Sequence, residues 1–144
     1  MTAAPKQYKS YVSIYAGVWF CAVLLIFGVK LLGATQDQMG YLNMAFMGVS
    51  WLIIMGLHFY EGHRLVSYLQ QHHPETWKWI TTIPVFSARG INSFRTLGFV
   101  FSADDCSDPV VQWLKGNYKR FLAFMMLVFF SYAVTFTITV FIWK

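Results

Sequence analysis

Charge is scarce in this sequence: Asp, Glu, Lys and Arg make up 12% of its 144 residues, against roughly 25% in a soluble globular domain. A chain so short of charge and 57% hydrophobic belongs in a membrane rather than in water. Cysteine is nearly missing. Cys21 lies in an apolar run and Cys106 in a polar loop, which excludes a disulfide framework and any cysteine-based metal spacing. There is no glycine-rich phosphate loop, no Ser-His-Asp order and no zinc-hydrolase motif. No nucleic-acid-binding motif occurs either. The net charge of +5 therefore points to cytoplasmic loops and anionic lipid. Aromatic residues are plentiful, at 19%, as suits helices whose flanks meet headgroups.

Three apolar runs stand out, at 11–29, 41–60 and 121–143. The first and third carry no charge, and the second is interrupted only by Asn43 and His58. Each approaches or exceeds the roughly 20 residues an α-helix needs to cross about 30 Å of hydrocarbon. Lipid offers a backbone no partner but its own helix, so all three are expected to be helical. Lys6 and Lys9 before the first run resemble the basic region of a secretory signal. The run is too long for one, and the residues after Val29 offer no small-x-small cleavage site, which predicts an uncleaved anchor. The expected fold is all-α, an integral membrane protein with three transmembrane helices. An N-terminal tail and hairpin fill 1–60, with spans at about 11–32 and about 41–60. A helical cytoplasmic segment fills 61–118, and the third transmembrane helix fills 119–144.

Orientation follows from Lys and Arg. Lys6, Lys9, Arg64, Lys78, Arg89, Arg95, Lys115, Lys119 and Arg120 fall on one side, and only Lys30 and Lys144 on the other. This bias predicts a cytoplasmic N-terminus and a periplasmic C-terminus. Within the cytoplasmic segment, "HRLVSYLQQHHPETWKWI" continues the second helix, breaks, and opens a short helix with Pro74 at its first position and Glu75 in its first turn. Ile83-Pro84 and Arg89-Gly90 mark turns. In "INSFRTLGFVF", Ile91, Phe94, Leu97 and Phe101 form one apolar stripe on a helix, suited to the bilayer surface or to the other helices. Asp108 as N-cap and Pro109 as first residue open the last helix, which is expected to run unbroken into the membrane.

Small or hydroxyl residues recur along the spans: Ser13, Gly17 and Cys21 on the first, Asn43 and Ser50 with Met47 on the second, Ser131, Thr135 and Thr139 on the third. Such positions let helix backbones approach and hydroxyls bond across a pair. They serve packing within this chain or docking of a partner's helix. Trp77 and Trp79 suit the headgroup zone. Arg64, Lys115, Lys119 and Arg120 are read as contacts to lipid or to a partner.

The segment nearest to chemistry is "GLHFYEGHRL", with His58, Glu61 and His63. Residues advance about 100° along a helix, so Glu61 shares a face with His58 while His63 points about 140° away. An unbroken helix cannot aim all three at one metal. An ionisable group in a span is a functional suspect, and His58 is the candidate contact for haem or quinone. It lies within a turn of the span's end, however, and no other span holds a His, Asp or Glu. The simpler reading is an interfacial or packing histidine, with Glu61 and Arg64 as an ion pair worth a few tenths of a kcal/mol. His72-His73 reads as a solvated helix end, and Asp104, Asp105 and Asp108 as a polar loop with its cap.

From about residue 50 onward, "HRLVSYLQQHHPETW", "FRTLGFVFSADDCSDP" and "YKRFLAF" leading to "FIWK" resemble the universal stress protein B family of small bacterial inner-membrane proteins. The first span is extra to that pattern. The resemblance implies a bacterial inner-membrane location and a stress link, and carries no catalytic residue. The expected function is a non-catalytic accessory subunit of a larger bacterial inner-membrane complex. It would have no catalytic residues, no metal and no cofactor, and its partners would be membrane lipids and other integral membrane subunits. A homo-oligomer is also possible. The alternatives are a haem- or quinone-contacting anchor using His58 and a free-standing stress-related membrane protein.

Overall fold

The computed structural model describes residues 10–82 and 93–143. The turns expected at Ile83-Pro84 and Arg89-Gly90, and Ile91 of the apolar stripe, lie outside them. The described chain is all-helical: α1 Val12–Leu31, α2 Gln36–His72, α3 Pro74–Thr81, α4 Ser93–Phe101 and α5 Pro109–Phe136, the last continued by a π-helical stretch, Thr137–Ile142. Three of these helices are long and apolar enough to cross a membrane. At 1.5 Å per residue α2 is about 55 Å long, well beyond the roughly 30 Å of hydrocarbon. Gly62 does not break it, because the apolar positions Leu65 and Leu69 beyond it are buried.

The helix ends follow local chemistry. Gly33 ends α1 with φ 93°, a left-handed conformation that glycine adopts without a Cβ clash. Thr35 and Gln38 then form a capping box: Gln38 N–H donates to Thr35 Oγ1 at 3.4 Å and Thr35 N–H donates to Gln38 Oε1 at 2.9 Å. This reciprocal pair satisfies two orphan amides where α2 begins. Pro74 opens α3 as expected. Val110 N–H donates to Asp108 Oδ1 at 2.8 Å, the N-cap bond that the sequence predicts for α5.

The chain forms two compact units. The first, termed the membrane unit for its long apolar helices, comprises 11–58 and 121–143. Its buried set includes Ile26, Met39, Ile54, Leu57, Phe121, Phe124 and Val128. Trp19 meets Phe46 with ring centroids 6.1 Å apart, and Phe27 meets Trp143 at 6.5 Å. Hydroxyls bond back onto their own helices: Ser131 to Leu127 O, and Thr137 to Ala133 O at 2.8 Å. This satisfies polar side chains within apolar helices.

The second unit, a polar lobe, comprises Ser10, 59–82 and 93–120. Leu65, Leu69, Ile80, Phe99, Val100, Val111 and Leu114 form its core, and α3 packs against α4. The loop before α5 passes through two left-handed residues, Cys106 (φ 56°) and Ser107 (φ 55°). Asp104 Oδ1 accepts from Cys106 N–H and Asp105 Oδ1 from Ser107 N–H, each at 3.0 Å, which offsets the steric cost of that conformation.

Candidate functional site

The residues of "GLHFYEGHRL" take separate partners. In the membrane unit His58 packs on the Phe121 ring at 5.8 Å and is itself exposed. In the lobe Glu61 is only 2% exposed. Its Oε1 accepts from Ser10 Oγ at 2.8 Å, and Arg64 Nη1 lies 3.4 Å from its Oε2. Arg64 also sits over the rings of Tyr60, at 5.0 Å, and Trp113, at 6.0 Å. His63 is exposed, with Ser67 Oγ 3.3 Å from its ring. The Glu61–Arg64 pair forms as the spacing suggests, with Glu61 buried and Arg64 half-buried. Sequence reasoning missed that burial because one partner of Glu61, Ser10, lies 51 residues away. Among the described residues, no three His, Cys, Asp or Glu side chains gather as metal ligands.

A second cluster is centred on Asp108. Its Oδ2 accepts from Tyr68 OH and from His73 Nε2, both at 2.9 Å, while its Oδ1 caps α5. Burial pushes the Asp108 carboxyl up, but the bonds from His73, the Val110 amide and Tyr68 together hold it below its ordinary value. His73, read from sequence as part of a solvated helix end, thus ties the α2–α3 junction to the start of α5. His72 is the solvated one, stacked on Tyr68 at 4.2 Å. No local pattern signals a pairing across 35 residues. The capping role of Asp108 was the one available hint, since a cap uses only one of its two oxygens.

The basic residues divide. Lys119, Arg120 and Trp79 are exposed, and Trp77 is half-buried. Lys115 is 4% exposed. Its Nζ donates to Ser102 O at 3.1 Å, to Asp104 O at 2.6 Å and to Ser102 Oγ at 3.3 Å, and lies 4.4 Å from the Phe99 ring centroid. Lys115 and Arg64 brace the lobe from within, where carbonyls, a carboxylate and ring faces hold their charges. On α4 the inward residues are Thr96, Phe99 and Val100, while Phe94 is 90% exposed and Leu97 and Phe101 are exposed with it. The described residues of the apolar stripe, Phe94, Leu97 and Phe101, face away from the core of the lobe.

The small-residue faces divide too. Asn43, Ser50, Thr135 and Thr139 are buried, and Ser131 is half-buried. Asn43 Nδ2 donates to Thr139 Oγ1 at 3.1 Å and to Met39 O at 2.8 Å, and Thr139 Oγ1 donates to Thr135 O at 2.8 Å. These residues pack the chain against itself. Ser13, Gly17 and Cys21 are all exposed, and a Cβ placed on Gly17 would meet nothing within 4 Å. Among the described residues, no helix of the chain covers that face of α1.

The membrane unit holds cavities lined by described residues. One of about 140 Å³ is walled by Tyr15, Trp19, Ala22, Phe46, Ser50 and Phe124, among others. A groove of about 360 Å³ runs between Met47, Trp51, Met125, Phe129, Tyr132 and Phe136. An open polar cleft of about 440 Å³ in the lobe is lined by His72, His73, Glu75, Thr76, Asp104 and Cys106. His58 lines none of the three. These features are compatible with a multi-pass helical membrane protein. Comparison with protein-family models, with curated proteins and with solved structures finds no match.

Proposed function

We propose that the chain is a non-catalytic accessory subunit of a larger bacterial inner-membrane complex, joined to it through α1 and stabilising its assembly. The outward face of α1 supports this reading. Glycine inside a helix costs about 1 kcal/mol relative to alanine, and lipid does not require a small residue. A partner helix does, because a missing side chain lets two backbones approach. Gly17, flanked one turn away by Ser13 and Cys21, stands exposed on that face with open space above it. The N-terminus and the lobe lie on the cytoplasmic side, in keeping with the Lys and Arg bias. Exposed Trp79, Lys119 and Arg120, with the apolar face of α4, rest on the headgroups of the cytoplasmic leaflet.

The test is extraction of the native protein in mild detergent, with co-purifying chains identified by mass. Stoichiometric larger subunits are expected, and Gly17→Leu should release them while the variant still inserts in the membrane. A protein that runs alone or as a small homo-oligomer would overturn the proposal in favour of the free-standing role implied by the resemblance to universal stress protein B.

A further inference from the structure

Helix α4 is apolar on two faces. Thr96, Phe99 and Val100 are buried in the lobe, while Phe94, Leu97 and Phe101 are exposed. From Phe94 to Phe101 the one charged residue is Arg95, and its side chain is engaged with α3. Arg95 Nη1 donates to Trp79 O at 3.0 Å and to Thr82 O at 3.4 Å, and its guanidinium lies 5.7 Å from the Trp79 ring centroid. A helix that faces water carries polar residues on its outer side, whereas one that is apolar all round is covered. Together with exposed Trp79, the outer face of α4 offers apolar surface on the order of several hundred Å², the size that marks a contact with protein or membrane.

Charge and position select lipid over protein. The exposed charges beside this surface are basic: Lys119 Nζ lies 5.7 Å from the Phe101 ring centroid, Arg120 follows it, and Lys78 precedes Trp79. The described carboxylates of the lobe are engaged elsewhere. Glu61 meets Ser10 and Arg64, Asp108 meets Tyr68 and His73, and Asp105 accepts from the Ser107 amide. Glu75 and Asp104 open onto the polar cleft. Position agrees. Phe101 is held against Lys119, two residues before the apolar run 121–143 begins, and α5 is continuous through that point. Lys119 is therefore about 3 Å along the helix axis from the start of that run. This is the level of the lipid phosphates when the run crosses the hydrocarbon core, and it is the zone that tryptophan favours.

We propose that α4 is an in-plane helix of the cytoplasmic leaflet that recruits acidic phospholipid. Phe94, Leu97 and Phe101 enter the boundary between headgroups and acyl chains, as the apolar face of an interfacial helix does, and Lys78, Lys119 and Arg120 hold the phosphates of lipids with net negative headgroups. This site deepens the lipid contact and the lobe orientation proposed above and rests on that reading, but it requires no partner subunit.

The experiment uses the full-length chain, with Cys21→Ser and Cys106→Ser, in vesicles of equal parts phosphatidylcholine and phosphatidylglycerol. A polarity-sensitive nitrobenzoxadiazole label is attached through Leu97→Cys, and in a second protein through Leu25→Cys on an exposed face of α1. Phe94→Cys, at a position 90% exposed, gives an independent reading of α4 should the Leu97 variant fold poorly. Quenching is followed against the mole fraction of either lipid, spin-labelled near the top or the end of its acyl chain. The α4 labels are expected to emit as in an apolar medium and to be quenched best by the shallow spin label. Phosphatidylglycerol should be preferred roughly fivefold, the worth of about one basic residue near the surface. Lys78→Gln with Lys119→Gln and Arg120→Gln should bring that preference close to unity. α4 labels that stay in water while the Leu25 label is quenched by the deep spin label would overturn the proposal, leave the membrane reading standing and give the outer face of α4 to a protein. Equal quenching by the two lipids would overturn the recruitment of acidic phospholipid. Labels unquenched at both α4 and Leu25 would overturn the membrane reading with it.

Discussion

Replacing Arg64 with methionine separates two regimes of ion-pair energetics. A surface pair at this spacing contributes about 0.3–0.5 kcal/mol. Glu61, however, is 2% exposed, and loss of one partner from a buried pair costs about 3–5 kcal/mol because the other charge stays behind uncompensated. The Ser10 hydroxyl, 2.8 Å from Glu61 Oε1, still solvates that carboxylate, which favours the lower end of the range. The cation–π contacts of Arg64 with Tyr60 and Trp113 add about 0.5–1 kcal/mol each. Arg64→Met is therefore expected to cost about 4–5 kcal/mol. Glu61→Leu combined with Arg64→Met should recover at least half of that, since removing both charges leaves neither stranded. Reversible unfolding in detergent micelles, followed by circular dichroism, reads both values. A cost below about 0.5 kcal/mol for Arg64→Met, or a double variant no better than the single, would refute the buried-pair reasoning.

Acid should loosen the lobe through Asp108. Its carboxyl lies below its ordinary value in the folded chain, so its contribution is complete above the unfolded carboxylate pKa of about 3.9 and is lost as pH falls through the folded value. Asp108→Asn should flatten that acid limb in a pH series of unfolding curves, and an unchanged limb would refute the assignment. In the membrane unit, Thr139→Val removes the acceptor of Asn43 Nδ2 and should cost about 0.6 kcal/mol and at most about 1.7 kcal/mol. Asn43→Leu should cost less than Thr139→Val, because it also removes a buried Oδ1 with no partner among the described residues; unfolding of the two variants in the same micelles checks the order.

Much of the architecture was legible because its signals are local. Run lengths without charge give the helices of spanning length, and one residue each fixes the openings of α3 and α5, at Pro74 and Asp108. The Leu65 and Leu69 positions carry α2 through Gly62. The faces were not legible. Along α1 nearly every residue is apolar or small, so nothing in its pattern distinguishes the side of Ile26, which is buried, from that of Gly17, which is not. The stripe on α4 is clear, yet a stripe does not say whether protein or lipid covers it.

What the sequence determined by itself is therefore the set of helices, the openings of α3 and α5 and the suitability of three helices for a membrane, because turn chemistry and hydrophobic length act within a few residues. Only the tertiary structure decided where polar groups are sheltered. Asn43 meets Thr139 across 96 residues and Asp108 meets His73 across 35. Lys115 turns inward because the end of α4 and the loop after it offer carbonyls, and Glu61 is buried because Ser10 and Arg64 accompany it. Burial of a polar group depends on finding partners, and those partners are brought together by the packing of distant segments.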